Sequence, residues 1–240
     1  MSDTKRNGLP KEAVEPTGEP LAGSSQRSAT ATPLQLSQRV AGTIVYVDGF
    51  NLYHGVREKF GRRLLWLDLM ALANSLLRRD QRLLGVKYFS APVRNAPDSQ
   101  QRQSAYLGAL RATGVEVVLG RFQEQTIECY GCHDTWRAYE EKQSDVNFCV
   151  QVLSDAHNHA FQTALLVTGD SDMVPAVRAV KAQEEGLRVV AAFPPARYSA
   201  DLAAATDASF HINASKIRGA QFPERVEGRD RAYLRPTYWS

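Results

Sequence analysis

The amino-acid sequence predicts an α/β fold, a mostly parallel sheet of about five strands flanked by helices on both faces. Short apolar runs alternate with longer helical stretches along the chain, the order that yields parallel strands joined by crossover helices. The runs at residues 43–47 (TIVYV) and 163–168 (TALLVT) are apolar at successive positions, the pattern of strands buried on both faces. Each of these two runs also ends in acid: Asp48-Gly49 after the first, Gly169-Asp170-Ser171-Asp172 after the second.

The remaining elements follow in order. Residues 51–60 and 67–79 have helical composition, and in the second Leu69, Leu72, Ala73 and Leu76 share one face at helical spacing. A second strand is expected at 85–91 (GVKYFSA), stopped by Pro92. Residues 98–113 form a helix with Tyr106, Leu107 and Leu110 inward, ended by Gly114, and 115–122 (VEVVLGRF) a third strand. The stretch 123–141 is less regular. Ser144 is placed to cap a helix over 145–157, whose apolar stripe is Val146, Cys149, Val150 and Leu153. After the GDSD turn a helix runs to 185, with Pro175 in its first turn, where a missing N–H costs little. Residues 187–193 (LRVVAAF) are a fifth strand, 199–205 a short helix and 210–213 an edge segment.

Composition bounds the organisation of the 240 residues. Residues 1–40 hold Pro10, Pro16, Pro20 and Pro33 among small and polar residues, with almost no large apolar side chains. Such a stretch cannot bury enough surface to offset the entropy of ordering it, so a disordered leader is expected. No apolar core follows its early charges, which argues against a secretory signal, and Glu12, Glu15 and Glu19 argue against a transit peptide. From Gly42 onward, roughly 180 residues have the apolar density of a single domain. Its bounds are expected at 41–222. Residues 223–240 are read as a flexible tail of cations and aromatics, among them Arg225, Arg229, Arg231, Tyr233, Arg235, Tyr238 and Trp239. No run approaches the ~20 apolar residues that cross a bilayer, so no membrane partner is expected. A net charge of +3 neither demands nor excludes nucleic acid. Three cysteines do not make a disulfide framework, and a reducing cytoplasm is the simpler setting.

An aspartate directly after a buried strand is costly unless it meets water, a partner or a metal. Here this happens at Asp48 and again at Asp170 and Asp172, and Asp145 adds a fourth carboxylate from the first turn of a helix. In parallel sheets, ligands gather at the carboxyl ends of the strands, where these residues fall. So much negative charge in one cleft calls for a cation. Hard oxygen donors of this kind suit Mg²⁺ or Mn²⁺, which polarise phosphoryl oxygens and help to generate hydroxide. Taken singly, each aspartate also has a structural reading: turn chemistry at Asp48-Gly49, the helix dipole at Asp145, an N-cap at Asp172.

Three segments then carry a resemblance. Residues 47–53 (VDGFNLY), 141–146 (EKQSDV) and 167–175 (VTGDSDMVP) resemble the three motifs of the NYN family, PIN-like nuclease domains of the LabA-like branch, and the likeness runs from about residue 42 to 222. It implies a PIN-like sheet and an acidic pocket that binds Mg²⁺ or Mn²⁺ for phosphodiester hydrolysis, with RNA, more readily single-stranded, as partner. Asp48, Asp145, Asp170 and Asp172 match the family's acidic positions, and Asn51 its motif-one asparagine. Asp48 and Asp170 are expected to ligate metal directly, Asp145 and Asp172 to hold metal-bound water or orient the nucleophile, and Asn51 to fix Asp48 or a phosphate. Phosphatases of the haloacid-dehalogenase type also set an aspartate after their first strand, but they need a second one two positions later, and that position is Phe50. A regulatory module that binds nucleic acid or protein with little turnover is the alternative function.

Other features are secondary. Lys142, Arg121, Arg102, Arg57 and Ser171 are candidate contacts to nucleic acid, with Lys142 held near the acids by its adjacency to Asp145. Cys129-Tyr130-Gly131-Cys132-His133 has the inner spacing of a zinc knuckle, but no second CxxC follows. Zinc at Cys129/Cys132 would need completion by His133, His157, His159 or Cys149, or sharing between two chains of a homo-oligomer. A turn with two reduced cysteines is the expectation.

Overall fold

The computed structural model describes residues 40–239, apart from 95, 129, 184 and 185. Except for Val40, the leader expected over 1–40 lies outside the described residues.

Strand β1 (Ala41–Asp48) is followed by helices α1 (Gly49–Phe60) and α2 (Leu69–Leu76), then β2 (Gln81–Ser90), α3 (Pro97–Ala112) and β3 (Glu116–Leu119). Strands β4 (Arg121–Glu128) and β5 (Thr135–Lys142) lead to α4 (Ser144–His157), β6 (Thr163–Val167) and α5 (Val174–Gln183). The chain continues through β7 (Arg188–Phe193), α6 (Ala200–Ala205), β8 (Ala208–His211), α7 (Ala214–Gly219), β9 (Arg225–Glu227) and β10 (Ala232–Leu234). The main sheet has the order β3-β2-β1-β6-β7-β8, with every neighbouring pair parallel. It has six strands rather than five because residues 208–211 pair with β7 as a full edge strand.

Alternation along the strands assigns the two faces. Val45 and Val47 of β1 face α1, α2, α3 and α7 in one apolar layer with Val86, Tyr88, Leu165 and Val167. Ile44 and Tyr46 face α4, α5 and α6 with Phe89, Leu166 and Phe193. Both faces are covered, which is why these strands are apolar throughout.

The structure corrects four expectations. The strand expected at 115–122 divides at Gly120, and Arg121 opens an antiparallel hairpin, β4 with β5, that spans most of the stretch read as irregular. Ser144 is the first residue of α4 and not its cap; Gln143, at a φ of 80°, precedes the helix without a side-chain cap. Helix α4 also turns a different face inward: Phe148, Val152 and Ala156 are buried, whereas Val146 and Val150 are about 60% exposed. Asp155 helps to set this rotation, because its carboxylate accepts from Tyr46 Oη at 2.7 Å and pairs with Lys87 Nζ at 2.8 Å beneath the sheet. Finally, residues 223–239 are no loose tail. Strands β9 and β10 form a hairpin, and Trp239 is 5% exposed, packed on Trp66 and Tyr106.

Candidate active site

From β1 the chain moves outward to β2 and β3, then returns to the other side of β1 as β6. The strand order therefore reverses between β1 and β6, the place where open α/β sheets form a crevice at their carboxyl ends. Asp48 closes β1, and Asp170 stands three residues beyond the end of β6. Helix α4 brings in the third acid, Asp145, in its first turn. One oxygen from each of Asp48, Asp145 and Asp170 lies within 4.8 Å of the others. Asp48 is buried, Asp170 is half-buried and Asp145 is exposed, so the trio runs from the sheet out to solvent.

Local chemistry holds these groups in place. Asp48 caps α1, accepting the Asn51 N–H at 3.0 Å on one oxygen, and takes the Thr168 hydroxyl at 2.9 Å on the other. Thr168 in turn accepts the Asp170 N–H at 3.1 Å, so one hydroxyl ties the two strand ends together. Asn51 does not bond Asp48 through its side chain. Its Oδ1 accepts the Gly169 N–H at 2.9 Å and fixes the turn that carries Asp170. Gly49 is needed beside Asp48, since a Cβ there would come within 2.5 Å of the Tyr88 ring. Asp172 stands apart from the trio. It is exposed on the 3-10 turn and donates its backbone N–H to Asp170 Oδ1 at 3.0 Å.

Electrostatics agree with this placement. Burial pushes the Asp48 carboxyl up to about 6, against the two hydrogen bonds that favour its charged form, and Asp145 and Asp170 push in the same direction as burial. The Cys149 thiol is also raised, first by burial and then by Asp145, Asp170 and Asp172. Three hard oxygen donors, one of them strained by desolvation in its charged state, could hold a divalent cation. A folded pKa above the unfolded one means that the unfolded chain ionises first. Without metal, the stability linked to Asp48 is complete below about pH 4 and is lost as pH rises through about 6. Over that window the advantage of Asp48→Asn over wild type in EDTA should grow from near zero to about 3 kcal/mol, the full value being reached above about pH 6. Urea titrations at several pH values read this, and a constant difference would show an ordinary surface acid.

The other candidates scatter. Arg121 and Lys142 face each other at the base of the β4–β5 hairpin, next to the start of α4. Ser171 is exposed beside Asp170. Arg57 is exposed in the last turn of α1. Arg102 lies on α3, donating to Ser99 Oγ at 2.7 Å with its guanidinium over Tyr238. Cys129 lies outside the described residues. Of its possible partners in a zinc site, Cys132 is exposed, His133 pairs with Glu128 at 2.7 Å, and Cys149 sits against Met173 Sδ at 3.6 Å. Sequence reasoning missed Thr168 and Arg197. Arg197 lies beyond the end of β7, against Gly169, and donates to Glu58 at 2.7 Å. Both follow strand ends at the same sheet edge, a signal that was available.

Fold and site define a PIN-like α/β domain with an acidic centre at its switch point. The NYN domain matches residues 42–214, and the chain belongs to that family. A solved protein of unknown function from Vibrio parahaemolyticus shares the fold, with a TM-score of 0.52 and 22% identity over 74% of this chain and 96% of that one. The chain is also similar to 6-hydroxy-3-succinoylpyridine 3-monooxygenase HspA of Pseudomonas putida, at 28% identity over 89% of this chain and 78% of that protein. The monooxygenase activity in that name is a property of the relative. Among the described residues, no helix is long and apolar enough to cross a membrane.

Proposed function

We propose that this domain is a metal-dependent nuclease that hydrolyses phosphodiester bonds, with single-stranded RNA as its substrate. The observation that carries the reading is the trio Asp48, Asp145 and Asp170 converging at the switch point, with the buried member resisting ionisation. Family membership supports it, since NYN domains are of the PIN-like nuclease kind.

Asp48, Asp145 and Asp170 would hold Mg²⁺ or Mn²⁺, whose chemistry is to polarise a phosphoryl oxygen and lower the pKa of water. Asp48 is fixed for this by Thr168 and the Asn51 backbone, and Asn51 acts through its side chain as a positioning residue for the 169–172 turn. Asp172, outside the trio, is the group left to orient a water on the open side of the turn. Lys142 and Arg121, at the base of the hairpin before α4, and Ser171, beside Asp170, would meet backbone phosphates; Arg57 and Arg102 would meet a longer strand. A reducing cytoplasm suits both the substrate and the free thiols of Cys132 and Cys149. A binding module with little turnover is the second reading, favoured by Asp172 lying outside the trio, so that among the described residues three carboxylates gather rather than four.

Incubation of the purified protein with labelled single-stranded RNA and DNA, with Mn²⁺, Mg²⁺ or EDTA, tests the proposal. Cleavage of RNA that depends on the cation and stops in EDTA is expected. RNA retained but uncut under all three conditions would replace the nuclease by the binding module.

A further inference from the structure

A second concavity opens beside the acidic trio but faces the opposite layer of the sheet. It has a volume of about 270 Å³ and reaches inward to Gly49, Ser90 and Tyr88, next to Asp48 along α1 and β2. Its walls include Tyr53, Tyr88, Tyr106, Trp239 and Leu64, and its polar rim includes Arg102. Among the described residues of the lining there is no carboxylate, and Arg102 is the one that is always cationic.

We infer that this cavity binds a single six-membered aromatic ring carrying an anionic group, with the ring among the tyrosines and Trp239 and the anion on Arg102. Four observations carry it. A cavity of about 150 Å³ encloses benzene, so this one has room for one ring and a substituent nearly as large, and it falls just below the roughly 300 Å³ at which sites for larger ligands begin. Its aromatic walls offer edges and faces to a flat guest at little cost in side-chain entropy. Arg102 lines the cavity together with Ser99, to which its guanidinium donates, and stacking on Tyr238 outside the lining holds that planar group, whose fork of N–H donors suits a carboxylate or phosphate. The last observation is position: Gly49, which follows Asp48 directly, is part of the cavity wall, so the cavity adjoins the acidic trio through the backbone.

Two kinds of molecule share this chemistry, pyrimidine nucleotides and free aromatic acids. Calorimetric titration of the full chain in EDTA with uridine 5′-monophosphate, nicotinate and their neutral counterparts uridine and nicotinamide tests the site without any metal, so its outcome is separate from that of the nuclease reading. Saturable binding of an anionic ring is expected. If only the nucleotide binds, the source is nucleic acid; if only nicotinate binds, it is a free acid, and either result supports the site. Arg102→Gln should weaken the anionic probe about tenfold, as loss of a charge-assisted hydrogen bond implies, while leaving the neutral one unchanged. Val93→Phe, which adds bulk to the lining from a loop, should abolish both. No saturation by any probe at millimolar concentration overturns the inference, and so does binding indifferent to both substitutions.

Discussion

Asp170→Asn should lose cation-dependent cleavage by about a hundredfold or more, since exchanging even an outer-shell partner of a metal site costs 10–100-fold. The substitution isolates charge from shape. Asp170 Oδ1 accepts the Asp172 N–H at 3.0 Å and opens the 3-10 turn, a duty that asparagine performs as well as aspartate. What disappears is one negative charge from a group within 4.8 Å of Asp48 and Asp145. In EDTA the variant should therefore melt at or slightly above the wild-type temperature, because repulsion within the trio is relieved. The rise in Tm that Mn²⁺ gives the wild type should shrink or vanish. Asp170→Ala provides the contrast: it removes the cap as well as the charge and should cost about 1 kcal/mol in EDTA. If both proteins lacked any Mn²⁺ response and Asp170→Ala alone were destabilised, Asp170 would be a capping residue and the metal centre would have to be abandoned.

How far the centre was legible depends on where each residue sits along the chain. Asp48 and Asp170 could be placed because each ends an apolar run, and two parallel strands with acidic ends meet at the same edge of the sheet. Asp145 was legible only as an acid at a helix start; what brings it to the other two is the route of the hairpin and α4 across the sheet. That Asp172 falls outside the trio has no sign in the sequence, because two residues of spacing do not reveal the 3-10 turn on which it stands. The buried face of α4 departs from its apolar periodicity for a similar reason. Val146 and Val150 look like core, yet Phe148 is the larger apolar group, and Asp155, an acid that periodicity assigns to solvent, is taken inward by Tyr46 and Lys87. Burial of that pair raises the Tyr46 hydroxyl far above its ordinary range, first by desolvation and then by Asp155 itself. Contacts between residues more than a hundred positions apart leave no local trace.

The chain beyond residue 222 shows the same effect, and it sets the second large expectation. Trp239→Ala should destabilise the domain by about 3–5 kcal/mol, the cost of truncating a buried tryptophan. Composition reads this stretch as cationic and aromatic, hence mobile, but three sets of contacts fix it. The Trp239 ring lies 6.3 Å from Trp66 and 5.8 Å from Tyr106, in the apolar layer that holds α1 and α3. Arg235 turns back to donate to Trp239 O at 3.1 Å and to Arg63 O at 2.7 Å, anchoring the 3-10 turn that presents the ring. Tyr233 lies on α3 where Gly108 has no side chain; a Cβ there would come within 2.0 Å of the tyrosine ring. For a domain of this size each kcal/mol lowers Tm by roughly 2–4 °C, so Trp239→Ala should melt on the order of ten degrees below wild type. Gly108→Val should also destabilise, by forcing Tyr233 off the helix, and Arg235→Ala should do so more mildly. Melting curves in EDTA read all three without any substrate. A tail that merely trails from the domain would leave every one of them at the wild-type Tm.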